Sequence, residues 1–134
     1  MRKERRRRVL TVGDQQYLWK TYHQHRHGCE EILRLRPLGS VAGLTLVFRP
    51  DGQRCVSDGW PSVSGDIWIG DRAMNLNMPG VARAFIDAAV EVGWVAQART
   101  TGRRNGWDLF DAVYGRKVEG LIDRGGPESN VRGR

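Results

Sequence analysis

One stretch of helical periodicity stands out in this chain, and it limits what the remainder can be. Asn77-Met78-Pro79 supplies a start, with proline at about the first helical position, where its missing N–H costs nothing. Val81, Phe85, Ala88 or Ala89, and Val92 recur at helical spacing, and Ile86 widens the stripe. Arg83, Asp87 and Glu91 fall on the polar side, and Gly93 stands where a left-handed C-terminal cap belongs. A helix over about 79–92 is roughly 20 Å long at about 1.5 Å per residue, enough to cover one face of a small sheet.

The flanking sequence supplies that sheet as short runs. Val9–Val12 reads as a strand, Gly13-Asp14 as a turn, and Gln16–Tyr22 as the returning strand, because Tyr17, Trp19 and Thr21 alternate with Leu18, Lys20 and Tyr22. His23–Gly28 is polar and is expected to leave the sheet. Ile32–Arg36 alternates again and stops at Pro37, and Leu44–Phe48 is an apolar run of strand length. Arg49-Pro50-Asp51-Gly52 reads as a turn that returns Gln53–Val56 as the partner of Leu44–Phe48. Ser57–Gly65 reads as a loop holding Trp60, and Asp66–Ile69 with Ala73–Leu76 as a hairpin about Gly70-Asp71-Arg72. Val95–Asn105 is polar and connecting, Trp107–Val113 suits a final strand or a short helix, and the residues from Gly115 read as a weakly ordered basic tail in which Val118, Leu121 and Ile122 can dock a helical turn.

The expected fold is therefore α+β: a mainly antiparallel sheet of short hairpins with one principal helix on one face. With 134 residues the chain fits one domain, expected over 9–114, between a basic arm (1–8) and the tail (115–134). A strand ending in Tyr-x-Trp (Tyr17, Trp19), an apolar middle strand, and Pro-Gly-Val-x-Arg-x-x-Ile-Asp-x-Ala followed by Gly-Trp (Pro79–Trp94) together resemble small sheet-plus-helix proteins of high-GC bacteria. The resemblance spans roughly residues 9–112 and rests on fold markers. It implies a small α+β domain and carries over no activity, cofactor or site residue.

Charge supplies the first functional expectation. The formal net charge is +7 with a pI near 10.2, a balance that suits a nucleic-acid partner. Residues 1–8 hold six basic side chains and one acid, residues 9–98 eight and nine, and residues 99–134 eight and five. The basicity thus sits at the ends. Nineteen of the 22 basic residues are arginine, whose planar fork can bond two phosphate oxygens at once, although codon bias in a GC-rich genome gives the same skew. Arg5, Arg6, Arg7 and Arg8 can act as an arm on phosphates by counterion release. Thr100–Gly106 combines hydroxyls, glycines, Arg103 and Arg104, and is the best phosphate-contact candidate outside the arm. No apolar run is long enough for a membrane span, and no signal-peptide pattern precedes the domain, so the expected location is cytoplasmic.

The sharpest local constellation is His23-x-His25-x-His27-x-Cys29, which holds all three histidines. Positions two apart on a strand face the same way, so His-x-His is a chelating spacing for zinc or iron. A straight strand would put His23 and His27 about 13 Å apart at about 3.3 Å per residue, too far for one ion. A site therefore needs His23, His25 and Cys29 curled together, or Cys55 and Asp58 brought in from elsewhere. Cys29 or Cys55 as a nucleophile requires a base and an orienting acid, and sequence neighbours on a strand point apart. Asp58, Asp66 and Asp71 suit turn and capping roles. Neither a phosphate-binding loop nor a dinucleotide fingerprint occurs. Of the five tryptophans, Trp60 lies between Gly59 and Pro61 and is the candidate for protein contact.

These residues favour a non-catalytic binding or accessory domain over an enzyme. The favoured partner is nucleic acid, held non-specifically through the basic termini, Arg103 and Arg104. One alternative is a protein-interaction module of adaptor or immunity type, using a sheet edge or the Trp60 loop. The other is a metal-dependent enzyme with zinc on His23, His25 and Cys29.

Overall fold

Alternation of side chains builds the larger of two sheets. In a computed structural model, which describes residues 8–25, 28–57, 65–94, 101–116 and 121–123, this sheet contains β1 (Arg8–Val12), β2 (Gln15–Gln24), β3 (Glu30–Pro37), β4 (Leu44–Phe48) and β8 (Gly102–Asn105). Its strand order is β1-β2-β3-β4-β8. The pairings are antiparallel except between β4 and β8, which run parallel. A smaller antiparallel sheet has the order β5-β6-β7-β9, from β5 (Arg54–Val56), β6 (Asp66–Ile69), β7 (Arg72–Asn75) and β9 (Leu121–Asp123). The long helix α1 (Pro79–Glu91), a 3-10 turn (Gly106–Leu109) and the short helix α2 (Phe110–Tyr114) complete an α+β fold with one principal helix. No helix among the described residues is long and apolar enough to cross a membrane.

The core lies between the larger sheet and α1. Tyr17, Trp19, Leu33, Leu35, Leu44, Leu46 and Phe48 present one sheet face, and Val81, Phe85, Ile86 and the helix alanines meet it. Ile67 and Met74 of the smaller sheet, with Trp107, Leu109, Phe110 and Val113, belong to the same cluster. The helix ends as its sequence indicates. Gly93 takes φ 109°, its N–H reaches Val90 O at 3.0 Å and the Trp94 N–H reaches Ala89 O at 2.9 Å. This paired closure satisfies the last carbonyls and sets Trp94 against Tyr17, ring centroids 5.9 Å apart.

Four expectations need correction. First, β2 runs on through His23 and Gln24, because their polar side chains find partners across the hairpin: His23 Nδ1 meets Glu31 Oε2 at 2.7 Å and Gln24 Nε2 donates to Glu30 Oε1 at 2.7 Å. Second, the turn after β4 centres on Gly52-Gln53. Asp51 and Arg54 exchange both backbone hydrogen bonds, 2.8 and 2.9 Å, around Gly52 at φ 63°. The chain thereby enters the smaller sheet, and β5 pairs with β6 instead of β4. Third, 102–105 is an edge strand: Gly102 N–H donates to Gly43 O at 2.8 Å, and an edge position tolerates its charged residues. Fourth, Leu121–Asp123 pairs with β7 as a strand, where a helical turn was expected.

Candidate functional site

Since the inner face of the larger sheet holds the core, period two fixes what the outer face carries. On β2 it carries Leu18, Lys20 and Tyr22; on β3, Ile32, Arg34 and Arg36; on β4, Thr45 and Val47; on β8, Arg103 and Asn105. The register aligns Lys20 with Arg34, Arg34 with Thr45 and Thr45 with Arg103. At about 4.8 Å between strands, Lys20 and Arg103 lie about 14 Å apart on one transverse row. Arg36 continues the face one position pair further along β3, opposite Leu18.

Beside the β8 end of this row lies a cavity of about 460 Å³, lined by Arg49, Asp51, Arg54, Arg103, Arg104 and Trp107 among others. The rim is held in place by hydrogen bonds. Trp107 is 5% exposed, its indole N–H donates to Arg49 O at 2.8 Å, and its backbone N–H donates to Asn105 Oδ1 at 3.0 Å. The Arg54 guanidinium stands 5.9 Å from the Trp107 ring. Glu30, fully buried, accepts from Arg49 Nε and from Gln24. Burial alone would push its carboxyl up, but the hydrogen bonds from Gln24 and Arg49 and the charges of Arg49 and Arg103 outweigh this and hold it below the usual carboxylate range.

Cations are treated differently on the two sides of the molecule. Toward the helices, Arg72 pairs with Asp111 at 2.8 Å, Arg83 with Asp87 at 3.7 Å and Arg116 with Glu91 at 2.7 Å. On the outer sheet face and its cavity, among the described residues, only Arg49 is matched, by Glu30. Among the described residues Lys20, Arg34, Arg36, Arg54, Arg103 and Arg104 form no ion pair. Arg36 donates instead to Ser40 O at 2.6 Å.

Arg103 and Arg104 therefore stand among other cations that have no acidic partner among the described residues. Arg8 belongs to the larger sheet: it begins β1, donates to Asn77 O and Oδ1 at 2.7 and 2.9 Å, and stacks 4.2 Å from the Trp19 ring centroid. Asn77 Oδ1 also accepts from Thr21, so Arg8 helps fix the start of α1 to β1 and β2. Arg5, Arg6, Arg7, His27, Asp58 and Trp60 lie outside the described residues. Asp66 accepts from Asn75 Nδ2 at 2.8 Å, and Asp71 sits exposed in the β6–β7 turn, as turn chemistry requires. Cys55 is half-buried on β5, away from the histidines in the chain and in a different sheet.

His23, His25 and Cys29 do come together. The β2–β3 register pairs His23 with Glu31 and Gln24 with Glu30, and the turn that follows brings Cys29 back against His25. The four residues His23, His25, Cys29 and Glu31 thus gather at the turn end of the hairpin. One ligand-type atom from each of His23, His25 and Cys29 lies within 4.8 Å of the others. Cys29 Sγ is 3.5 Å from His25 Nδ1, and the two imidazole centroids are 4.6 Å apart. Glu31 is fully buried, and its carboxyl is pushed up by burial, against the opposing pull of the His23 ring and the Gly65 backbone N–H.

Comparison with protein-family models, with curated proteins and with solved structures gives no match for this chain.

Proposed function

We propose that this chain is a non-catalytic nucleic-acid-binding domain that grips the phosphate backbone without reading bases. The binding surface is the outer face of the larger sheet together with the arginine-lined cavity at its β8 edge. The observation that carries this reading is the segregation of cations that form no ion pair among the described residues: Lys20, Arg34, Arg36 and Arg103 on the outer face and Arg54 and Arg104 at the cavity beside it, with ion-paired arginines toward the helices. Leaving so many like charges together is unfavourable unless a polyanion neutralises them.

A row about 14 Å long matches about four nucleotides of a stacked strand at about 3.4 Å each. Tyr22, half-buried on the same face with Lys20 Nζ 5.6 Å from its ring, offers one aromatic surface to a base. A flat sheet presents no helix to a major groove, so the contacts position a backbone and carry no sequence code. We assign the activity to the cytoplasm.

Fluorescence anisotropy of labelled single-stranded and duplex oligonucleotides tests it. Micromolar binding that weakens steeply with salt, with similar affinity for unrelated sequences, is expected. Absence of binding at low salt would remove the reading.

A further inference from the structure

The turn end of the β2–β3 hairpin holds a second constellation, independent of the cationic face. We propose that His23, His25 and Cys29 form a binding site for a single zinc-class divalent ion, with Glu31 as the carboxylate that orients His23.

Three observations converge. The first is spacing. In a tetrahedral zinc site with Zn–N of about 2.0–2.1 Å and Zn–S of about 2.3 Å, nitrogen and sulfur ligands are roughly 3.5 Å apart. Cys29 Sγ and His25 Nδ1 already stand at 3.5 Å. One ligand atom from each of the three residues lies within 4.8 Å of the other two, so a shift of about 1 Å, within reach of side-chain rotation, completes the set. The second is the state of His23. Its Nδ1 is occupied by Glu31 Oε2 at 2.7 Å, while its Nε2 is buried with no hydrogen-bond partner among the described residues. A buried ring nitrogen without a partner is costly to keep, and a metal ion supplies the missing partner. The third is the carboxylate behind the imidazole. Metal-bound histidines usually donate their other nitrogen to a carboxylate, which fixes ring orientation and makes the ligand more basic. Glu31, 0% exposed against 18% for His23, is placed for that role.

Donor chemistry selects the ion. Two imidazoles and a thiolate favour zinc and its neighbours over magnesium or calcium, which require oxygen. Three protein ligands leave one coordination position for water or another donor. Binding requires the Cys29 thiol to lose its proton, so uptake releases protons and weakens in acid.

The test uses the full chain, reduced and stripped of metal, titrated with cobalt(II) and then with zinc. One cobalt per chain is expected, with a near-ultraviolet sulfur-to-cobalt charge-transfer band that one equivalent of zinc abolishes. Cys29→Ser should remove the band, and Glu31→Gln should weaken affinity about 10–100-fold with the ligand set unchanged. His25→Ala, at an exposed position where the fold is not at stake, should also weaken binding, and circular dichroism checks that each variant is folded. The assignment fails if the wild-type chain gives no charge-transfer band at saturating cobalt. It fails equally if the band survives Cys29→Ser, which would move the thiolate to Cys55, or if folded His25→Ala binds as the wild type does.

Discussion

Replacing Arg103 and Arg104 by alanine should change how oligonucleotide affinity depends on salt, by an amount set by the number of cations without an acidic partner on the face and in the cavity beside it. Six side chains there have no acidic partner among the described residues: Lys20, Arg34, Arg36, Arg54, Arg103 and Arg104. If each neutralises one phosphate of a single strand, the slope of log K against log salt is about −0.7 per contact, or about −4 in total. Between 50 and 200 mM salt that amounts to a loss of roughly 300-fold in affinity. The double variant removes two contacts, which brings the slope to about −2.8 and the loss to roughly 50-fold. The matched control is Arg83→Ala with Arg116→Ala, which lowers net charge equally but removes residues paired with Asp87 and Glu91 on the helix side. Its slope should stay near that of the wild type. Anisotropy titrations of one labelled oligonucleotide at four or more salt concentrations supply all three slopes. If the two double variants lose slope equally, affinity follows net charge alone and the face has no special role.

Three further outcomes concern the scaffold around the two sites. A Cβ at Gly106 would fall 2.2 Å from Phe48 Cζ, so Gly106→Ala should destabilise the fold by about 1–3 kcal/mol through overpacking; an unchanged thermal midpoint would show that this approach is not close in solution. Glu30 is held below its ordinary value of 4.5, so its contribution to stability is present above that value and is lost as pH falls through the lower folded one. Urea midpoints of wild type and Glu30→Gln should therefore converge as the solution is acidified, and a constant difference down to strongly acidic pH would contradict the assignment. Arg8→Ala removes the Asn77 hydrogen bonds and the Trp19 stack and should cost about 1–3 kcal/mol, measurable by chemical denaturation, while leaving the salt slope of oligonucleotide binding unchanged.

The parts of the fold legible in the sequence are those with a local cause. α1 is set by its stripe, by Pro79 and by Gly93, and the β6–β7 hairpin by Gly70-Asp71 between two short runs. Polarity misled at the end of β2. His23 and Gln24 look like loop residues until Glu31 and Glu30 are seen to satisfy them from the neighbouring strand, a contact invisible to a window that reads one strand at a time. The spacing names His23, His25 and Cys29 as a candidate cluster, and what it does not show is how the hairpin brings them together. On a strand, His23 and His25 share a face, but only the turn that returns Cys29 to within 3.5 Å of His25 Nδ1 adds the sulfur, and only the pairing of His23 with Glu31 adds the carboxylate.

The cationic face was half legible for a similar reason. Counted along the chain, residues 9–98 are nearly neutral, which directs attention to the termini. Counted by strand parity, the same residues separate: Trp19, Leu33 and Leu35 fix the buried face, so Lys20, Arg34 and Arg36 must take the other. Neutrality along the sequence is therefore compatible with a polarised surface, because Asp87 and Glu91 spend their charge on the helix side. Parity alone cannot place Arg103. β8 joins β4 in parallel after the chain has passed through the smaller sheet and α1, and a long-range parallel pairing leaves no local mark in four residues, two of them charged. Such a strand is stable at an edge, where its other side faces solvent, and that position is what lets Arg103 extend the row while Arg104 turns to the cavity that Arg49 and Arg54 also line. The parallel edge strand thus joins two groups of cations that the sequence keeps far apart, and the continuity of the proposed phosphate track depends on it.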